Sequence, residues 1–500
     1  MGVDGLWKTI HDAGRTVNLE TLTIKEGFEG RRRKGRMYCV GIDVSLWMRE
    51  LQPMSAGTAA LRAFLSRLCF LSQYPVHAIF VVDGPLLPRM KRDKQARAMP
   101  CWMTAAMRDF ARAFGFEWLE AAAEAGAELA NMNDYGAIDA VLTDDSDALL
   151  FGASVVIQNP SFKSADRPTY VEVYRADIIL RDTEMGRGDL LLFALLVGNG
   201  YDPNGLPRCS ASTARGVIQY GLGQNLYAAM LAYDDDDPEL IRTLRKWRAR
   251  LQSVLEQDPS GFIGRAQPLL AAAVPSSFPD LNVVRLLMFP TVLKHEFYKP
   301  LTQPRLLNVA RIGALCERYF TFGSATSIKT TLRRTVWRGE VVRMLVQEGV
   351  QPATRRLLDI AFIKVDEPPG AGFAGCHLRV TDAGFHEAAT AALCGSRKFT
   401  VRAGKTEEEA IKEAFQPLVI TVPAVIVERA RPTLVNPAFN EVGYMYGHVH
   451  APLASGKPIY TAPPGSVVIP ESLDPVLDDV GATGPLKTAG AGAMDLADDV

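Results

Sequence analysis

Three short apolar runs, each closing on acid, limit most strongly what this chain can fold into. They are MYCVGID (Met37–Asp43), HAIFVVD (His77–Asp83) and IDAVLTDD (Ile138–Asp145). Continuous apolar runs of this length read as strands buried on both faces. Helical periodicity separates them, over about Gly57–Gln73, Met103–Phe114 and Ala121–Asn133, the last stopping near Gly136. SVVIQ and TYVEVY follow as further strands. This rhythm predicts an α/β fold, a mostly parallel twisted sheet flanked by helices. Such sheets take their ligands at the carboxyl ends of the strands. Acids at three equivalent strand ends suit one shared polynuclear site; each acid alone also suits a cap for the helix that follows.

Beyond Asp189, a plausible N-cap for LLLFALLV, the chain reads as mainly helical. A Gly-rich turn covers Gly198–Gly205, a helix starts near Ser212, and basic helix faces continue through Arg242–Gln257. The run Asp234–Asp237 reads as a solvated loop or a helix start. Leu357–Val365 and Leu418–Val422 look like strands among Pro- and Gly-rich loops. The expected organisation is an α/β core over 1–185, a helical region over 186–345, a small β-rich module over 350–435, and a disordered acidic tail over 452–500.

Charge alone excludes little. The 500 residues carry a net charge of −1, which at first argues against a nucleic-acid partner. The thirty residues from Glu471 hold seven acids and one base, however, so the remainder is +5. Seven cysteines without a CxxC pair argue against a zinc module or a disulfide framework. His448 and His450 flank Val449 and read as a plain loop rather than a metal site. No uncharged apolar stretch is long enough to suggest a membrane span, and the N-terminus MGVDGLWKTI lacks an apolar signal core.

The strongest chemical signal is TDDSDALLFGA (Thr143–Ala153), in which Asp145 and Asp147 alternate at a strand end. Hard divalent cations such as Mg²⁺ prefer carboxylate oxygens and water. Two such ions roughly 3.5–4 Å apart activate water and stabilise a leaving oxygen in phosphodiester cleavage. Asp43, Asp83 and Glu124 are the natural candidates to complete a cluster.

The ordered set MGVDGLW, GIDVSLW (Gly41–Trp47), FVVDGPLLPRMKR (Phe80–Arg92), EAGAELANMNDYGAIDAVLTDDSDALLFG (Glu124–Gly152) and ALLVGNGYDPNGLP (Ala194–Pro207) resembles the flap-endonuclease/XPG family of structure-specific nucleases. It spans about residues 1–270. GYDPNGLP and PLVITVPAVIVERARPTLV (Pro417–Val435) look similar to its fungal Holliday-junction-resolvase-like branch, where a chromodomain-like module follows the core. The resemblance implies a PIN-like core with a helix-two-turn-helix extension and a nuclear DNA-repair or recombination endonuclease. Its substrates would be flaps or four-way junctions, on which a homodimer can assemble, and two Mg²⁺ or Mn²⁺ ions would serve it.

Carried over residue by residue, the acidic set falls on Asp43, Asp83, Glu124, Asp145 and Asp147. Two family acids are replaced by Gly126 and Gly200, which leaves open an inactive, junction-binding relative. Glu128, four residues after Glu124, and Asp202, two beyond the missing acid, are the candidate substitutes. Lys91 and Arg92 fall where the family approaches the scissile phosphate. Gly2, Arg89, Lys94, Arg97 and Arg208 fall on its DNA-contacting positions, and Leu87 stands where an Arg is expected. Arg31–Lys34 read as a solvated loop or a DNA contact, with part of a nuclear signal as the lesser alternative. In GLPRCSASTA (Gly205–Ala214), Arg208 and Ser210 replace glycines of the family hairpin, which argues against its usual K⁺ site. The match at Gly2 implies that no presequence is cleaved. Trp7 and Trp47 read as core.

Overall fold

The computed structural model describes residues 2–435, except 31–35, 52–57, 89–100, 159–168, 235, 299–303, 321–324, 353–358, 367–371, 382 and 395–417. Arg31–Lys34, the basic run Arg89–Arg97, His448, His450 and the acidic tail therefore lie outside the described residues.

The apolar runs form the middle of a seven-stranded sheet. Its strands are β1 (Arg15–Asn18), β2 (Tyr38–Asp43), β3 (Val76–Val82), β4 (Glu117–Glu120), β5 (Ala140–Leu142), β6 (Val155–Gln158) and β7 (Tyr170–Arg175), in the order β1-β7-β6-β5-β2-β3-β4. Five adjacent strands, from β6 to the edge strand β4, are parallel, and β7 and β1 extend the other side antiparallel. From β2 the chain builds outward through β3 and β4, then returns to β5 on the other side of β2. The switch point, where such sheets open a crevice, lies between the carboxyl ends of β2 and β5.

Alternation along the strands feeds two cores. Val40, Ile42, Ala78 and Phe80 face the helices Thr58–Ser72, Cys101–Ala113, Val309–Tyr319 and Trp337–Val350. Cys39, Ile79 and Val81 face Ala125–Asp134 and Arg187–Val197. Asp43 and Asp83 have the parity of this second set, so both project toward the Ala125–Asp134 side. Trp47 is buried in the first core, as expected. Trp7 packs at the margin of the second, its indole N–H donating to the Asp144 carbonyl at 2.9 Å.

Two helix starts differ from expectation. The third predicted helix begins at Ala125, not Ala121, because the Ala121 N–H pairs with the Val82 carbonyl and prolongs the strand edge. Asp189 is not the N-cap of its helix; Gly186 is, and Asp189 Oδ2 reaches back to accept the Gly186 N–H at 3.0 Å. That is the N3 half of a capping box; Gly186 has no side chain to supply the other half. Asp237 does cap the helix Pro238–Gln257, accepting the Glu239 N–H at 2.8 Å.

Three further strands, β8 (Ile360–Asp366), β9 (Gly375–Val380) and β10 (Leu418–Pro423), form an antiparallel sheet in the order β10-β9-β8. Cys376, Leu378, Val380 and Val422 are buried within the first core, where Phe385 meets Trp337 at 5.5 Å between ring centroids. No helix among the described residues is long and apolar enough to cross a membrane.

Candidate active site

The carboxylates named from the sequence gather at the carboxyl ends of β2, β3 and β5. Asp43 closes β2, and its Oδ1 accepts the Leu46 N–H at 3.2 Å, so it also caps the first turn of the helix Val44–Leu51. Asp83 follows β3 directly. Its Oδ2 accepts from the Ser45 hydroxyl at 2.7 Å and its Oδ1 from the Ala125 N–H at 2.9 Å. The second contact sets a negative charge at the start of the helix Ala125–Asp134, where the helix dipole favours it.

Beyond β5 the chain makes a tight turn. The Asp145 N–H donates to Thr143 Oγ1 at 3.0 Å, and Asp145 Oδ1 accepts the Asp147 N–H at 3.1 Å. Asp147 is buried at the head of the short helix Asp147–Leu150. The N-terminus lies on this turn: the Val3 N–H donates to Ser146 Oγ at 2.9 Å. Gly2, at φ +86°, has no room for a side chain. A Cβ there would stand 2.4 Å from both Asp145 Oδ1 and Ser146 Oγ.

Glu124 completes the group from the position just before its helix. Its Oε2 accepts the Tyr201 hydroxyl at 2.5 Å. Tyr201 is 3% exposed. Burial pushes its phenol far above the ordinary tyrosine range, with Glu124, then Asp147 and Asp83, adding to the rise. The phenol thereby fixes Glu124 at the margin of the acidic group. Sequence reasoning missed Tyr201, although GYD carried the signal.

The two candidate substitutes serve other ends. Glu128 is fully buried and accepts the Ala122 N–H at 3.1 Å, the Leu293 N–H at 3.0 Å and the Tyr298 hydroxyl. Because Glu124 precedes the helix rather than belonging to it, the two side chains do not share a helix face. Asp202 Oδ1 accepts the Asn204 N–H at 3.2 Å, inside a turn organised by Asn199 Oδ1, which takes the N–H groups of Tyr201 and Asp202. At Gly126 a Cβ would meet nothing nearer than 3.8 Å, from Glu124 Oε1 and Phe151.

The five carboxylates form an oxygen-only donor set of the kind hard divalent cations select. Among the described residues no group of three or more His, Cys, Asp or Glu is already close enough to hold a metal ion. Mg²⁺ keeps several waters and commonly takes one or two protein carboxylates, so the donor chemistry fits without a closed cage.

The expected DNA-contacting residues are only partly described. Arg89, Lys91, Arg92, Lys94 and Arg97 lie outside the described residues. Leu87 is 5% exposed and acts as core. The hairpin runs from the helix Arg187–Val197 through Ala211–Ile218 to Leu222–Ala232. Arg208 is exposed and keeps a left-handed backbone at φ +69°, the conformation a glycine would adopt freely. Ser210 replaces its glycine as an N-cap, Oγ accepting the Thr213 N–H at 3.1 Å.

Residues 115–200, which carry β4, Glu124, the Asp145–Asp147 turn and Tyr201, match the XPG I-region model. Over these residues the chain is similar to the I-region of the XPG family. It is 28% identical over 250 residues to flap endonuclease GEN homolog 1 of Mus musculus, covering 45% of this chain and 26% of that one. It is 29% identical over 228 residues to flap endonuclease 1 of Caldivirga maquilingensis, covering 37% and 65%. The chain thus spans about a quarter of the length of the mouse protein. Its fold matches the solved structure of the Holliday junction-resolving enzyme GEN1 in complex with product DNA and Mg²⁺. The TM-score is 0.68 at 22% identity, covering 89% of this chain and all of that one.

Proposed function

We propose that this chain is a divalent-metal-dependent, structure-specific DNA endonuclease that hydrolyses phosphodiesters at flaps or four-way junctions in nuclear repair and recombination. The observation that carries the reading is the placement of Asp43, Asp83 and the Asp145–Asp147 turn at the carboxyl ends of β2, β3 and β5, with Glu124 fixed beside Asp83 by the Tyr201 hydroxyl. Asp43 and Asp145 border the switch-point crevice in the same place. Its likeness to flap endonucleases and to a junction-resolving enzyme solved with product DNA and Mg²⁺ supports it.

In this reading Asp43, Asp83, Glu124, Asp145 and Asp147 hold one or two Mg²⁺ or Mn²⁺ ions. Such ions lower the pKa of bound water and offset charge on the leaving oxygen. Asp202, whose Oδ1 accepts the Asn204 N–H, would be a further ligand from the Asn199 turn. Lys91 and Arg92 would offset charge developing on the scissile phosphate. Gly2, Arg89, Lys94, Arg97 and Arg208 would contact the DNA backbone. Two copies would share a four-way junction. The chromodomain-like assignment of 350–435 rests on the resemblance and suits the three-stranded antiparallel sheet there. A hairpin K⁺ site is not part of the proposal, because Arg208 and Ser210 replace its glycines.

A second reading, a junction-binding protein without cleavage, is favoured by one observation: with glycine at 126 and 200, no three metal-ligating side chains among the described residues stand close enough together for an ion. Incubation of the folded protein with flap and four-way-junction DNA in Mg²⁺ or Mn²⁺ separates the two. Cleavage supports the first; tight binding without cleavage in either metal supports the second.

A further inference from the structure

The helix Pro238–Gln257 carries five cations between Arg242 and Arg250 and no acid among them. Its inner face is spent: Leu240, Leu244, Trp247 and Leu251 are buried in the second core. The Trp247 indole N–H donates to the Leu222 carbonyl at 2.9 Å and fixes the helix to Leu222–Ala232. A basic amphipathic helix with a free apolar face reads as a membrane or helix-groove ligand. Here the apolar face is covered, and only the charged face is left to act.

That face is a stripe. Arg242, Arg245, Lys246 and Arg250 are all exposed and recur at helical spacing on one side. Glu239 pairs with Arg242, whereas Arg245 and Lys246 have no ion pair among the described residues. Arg248 flanks the stripe, its Nε donating to the Phe278 carbonyl at 2.6 Å. Burial, and then the nearby Arg245 charge, lower the affinity of Arg248 for its proton. At the far end Arg250 Nη2 donates to the Tyr220 carbonyl at 3.4 Å, in the turn between the helices Ala211–Ile218 and Leu222–Ala232. The stripe therefore runs on from the hairpin. From Arg242 to Arg250 it measures about 12 Å at 1.5 Å per residue, comparable to the ~12 Å width of a duplex major groove.

We infer that the exposed face of the helix Pro238–Gln257 is a second nucleic-acid contact, in which Arg245, Lys246 and Arg250 engage phosphates of a duplex arm beyond the hairpin. It rests on the DNA-binding reading above. Mutual repulsion of like charges on a rigid helix is relieved by a polyanion. Phosphates spaced along both rims of a groove match a straight row of cations better than a single bound anion does. The contact reads charge and not sequence, since phosphates carry none.

The test is equilibrium binding of the full chain to duplex and four-way-junction DNA between 50 and 200 mM salt. The triple variant Arg245→Gln/Lys246→Gln/Arg250→Gln removes three exposed charges and, at Arg250, the long contact to the Tyr220 carbonyl. Each phosphate neutralised contributes about −0.9 to the slope of log K against log salt. The variant is expected to flatten that slope by about 2 to 3 units, and Arg245→Lys/Arg250→Lys to keep it. An unchanged slope in a variant whose far-UV spectrum and Tm are wild-type overturns the inference while leaving the DNA-binding reading intact. If wild type itself binds neither DNA at 50 mM salt, both fall. If the slope is unchanged and affinity for polyglutamate drops, the face serves an acidic polypeptide and the inference is wrong.

Discussion

The Tyr201 hydroxyl donates to Glu124 Oε2 at 2.5 Å, joining the loop after the helix Arg187–Val197 to the residue just before Ala125–Asp134. The contact ties the hairpin side of the molecule to its acidic crevice. It sits one residue from Gly200, where the family resemblance leads one to expect a carboxylate.

Tyr201 gives a pH prediction. Its phenol is raised in the folded protein relative to the unfolded chain, whose tyrosines ionise near pH 10. Its contribution is therefore complete below about pH 10 and is lost as pH rises toward the folded value. Tyr201→Phe removes the titration. Urea denaturation between pH 9 and 11 should show a smaller loss of stability in the variant than in wild type. Equal losses would mean that the phenol is not held as described.

Gly126→Glu should be tolerated. A Cβ meets nothing closer than 3.8 Å, and the position lies in the first turn of a helix, where glycine is a poor former and acids are favoured. The new carboxylate would start beside Glu124. Calorimetric titration should show tighter Mn²⁺ binding than wild type, with Tm unchanged or higher. No gain in Mn²⁺ affinity would place the new carboxylate away from the ion.

Glu128→Gln should act on stability alone. Two backbone N–H groups and a phenol converge on the carboxylate, and an amide can satisfy only part of that set. Leaving a buried donor unmet costs about 1–3 kcal/mol. Denaturant midpoints should fall accordingly, while Mn²⁺ affinity holds. A large loss of Mn²⁺ affinity would return Glu128 to the ion-binding set.

Arg208→Gly should separate folding from binding. An L-residue in the left-handed region costs about 1–2 kcal/mol, and glycine adopts it freely. The variant is expected to unfold at a higher temperature and to bind DNA more weakly at low salt. Unchanged DNA affinity would remove Arg208 from the contact surface.

The sheet was legible because strand and helix leave different periods in the sequence, and because a strand buried on both faces cannot alternate. The acids of β2, β3 and the turn after β5 were legible for the same reason: a parallel sheet sends equivalent ends to one side. What stayed hidden depends on partners distant in sequence. Glu128 looked like a spare ligand because Leu293 and Tyr298, which hold it, arrive about 165 and 170 residues later. Glu124 was read inside a helix because the Ala121–Val82 hydrogen bond that delays the helix start leaves no local mark. Asp189 resembled an N-cap because caps and third-turn-position acids are the same residue types used three places apart.

The central claim is that five carboxylates suffice for cleavage with glycine at 126 and 200. Single-turnover cleavage of a labelled four-way junction and a flap by wild type and Asp145→Ala, in Mg²⁺ and Mn²⁺, tests it most directly. Asp145 lies on the crevice turn and its Oδ1 closes that turn onto Asp147, so binding should survive its loss better than cleavage. The account predicts metal-dependent cleavage by wild type and a loss of at least a hundredfold in the variant, on the order of a displaced catalytic group. Wild-type protein that binds the junction tightly and cuts neither substrate in either metal would contradict it.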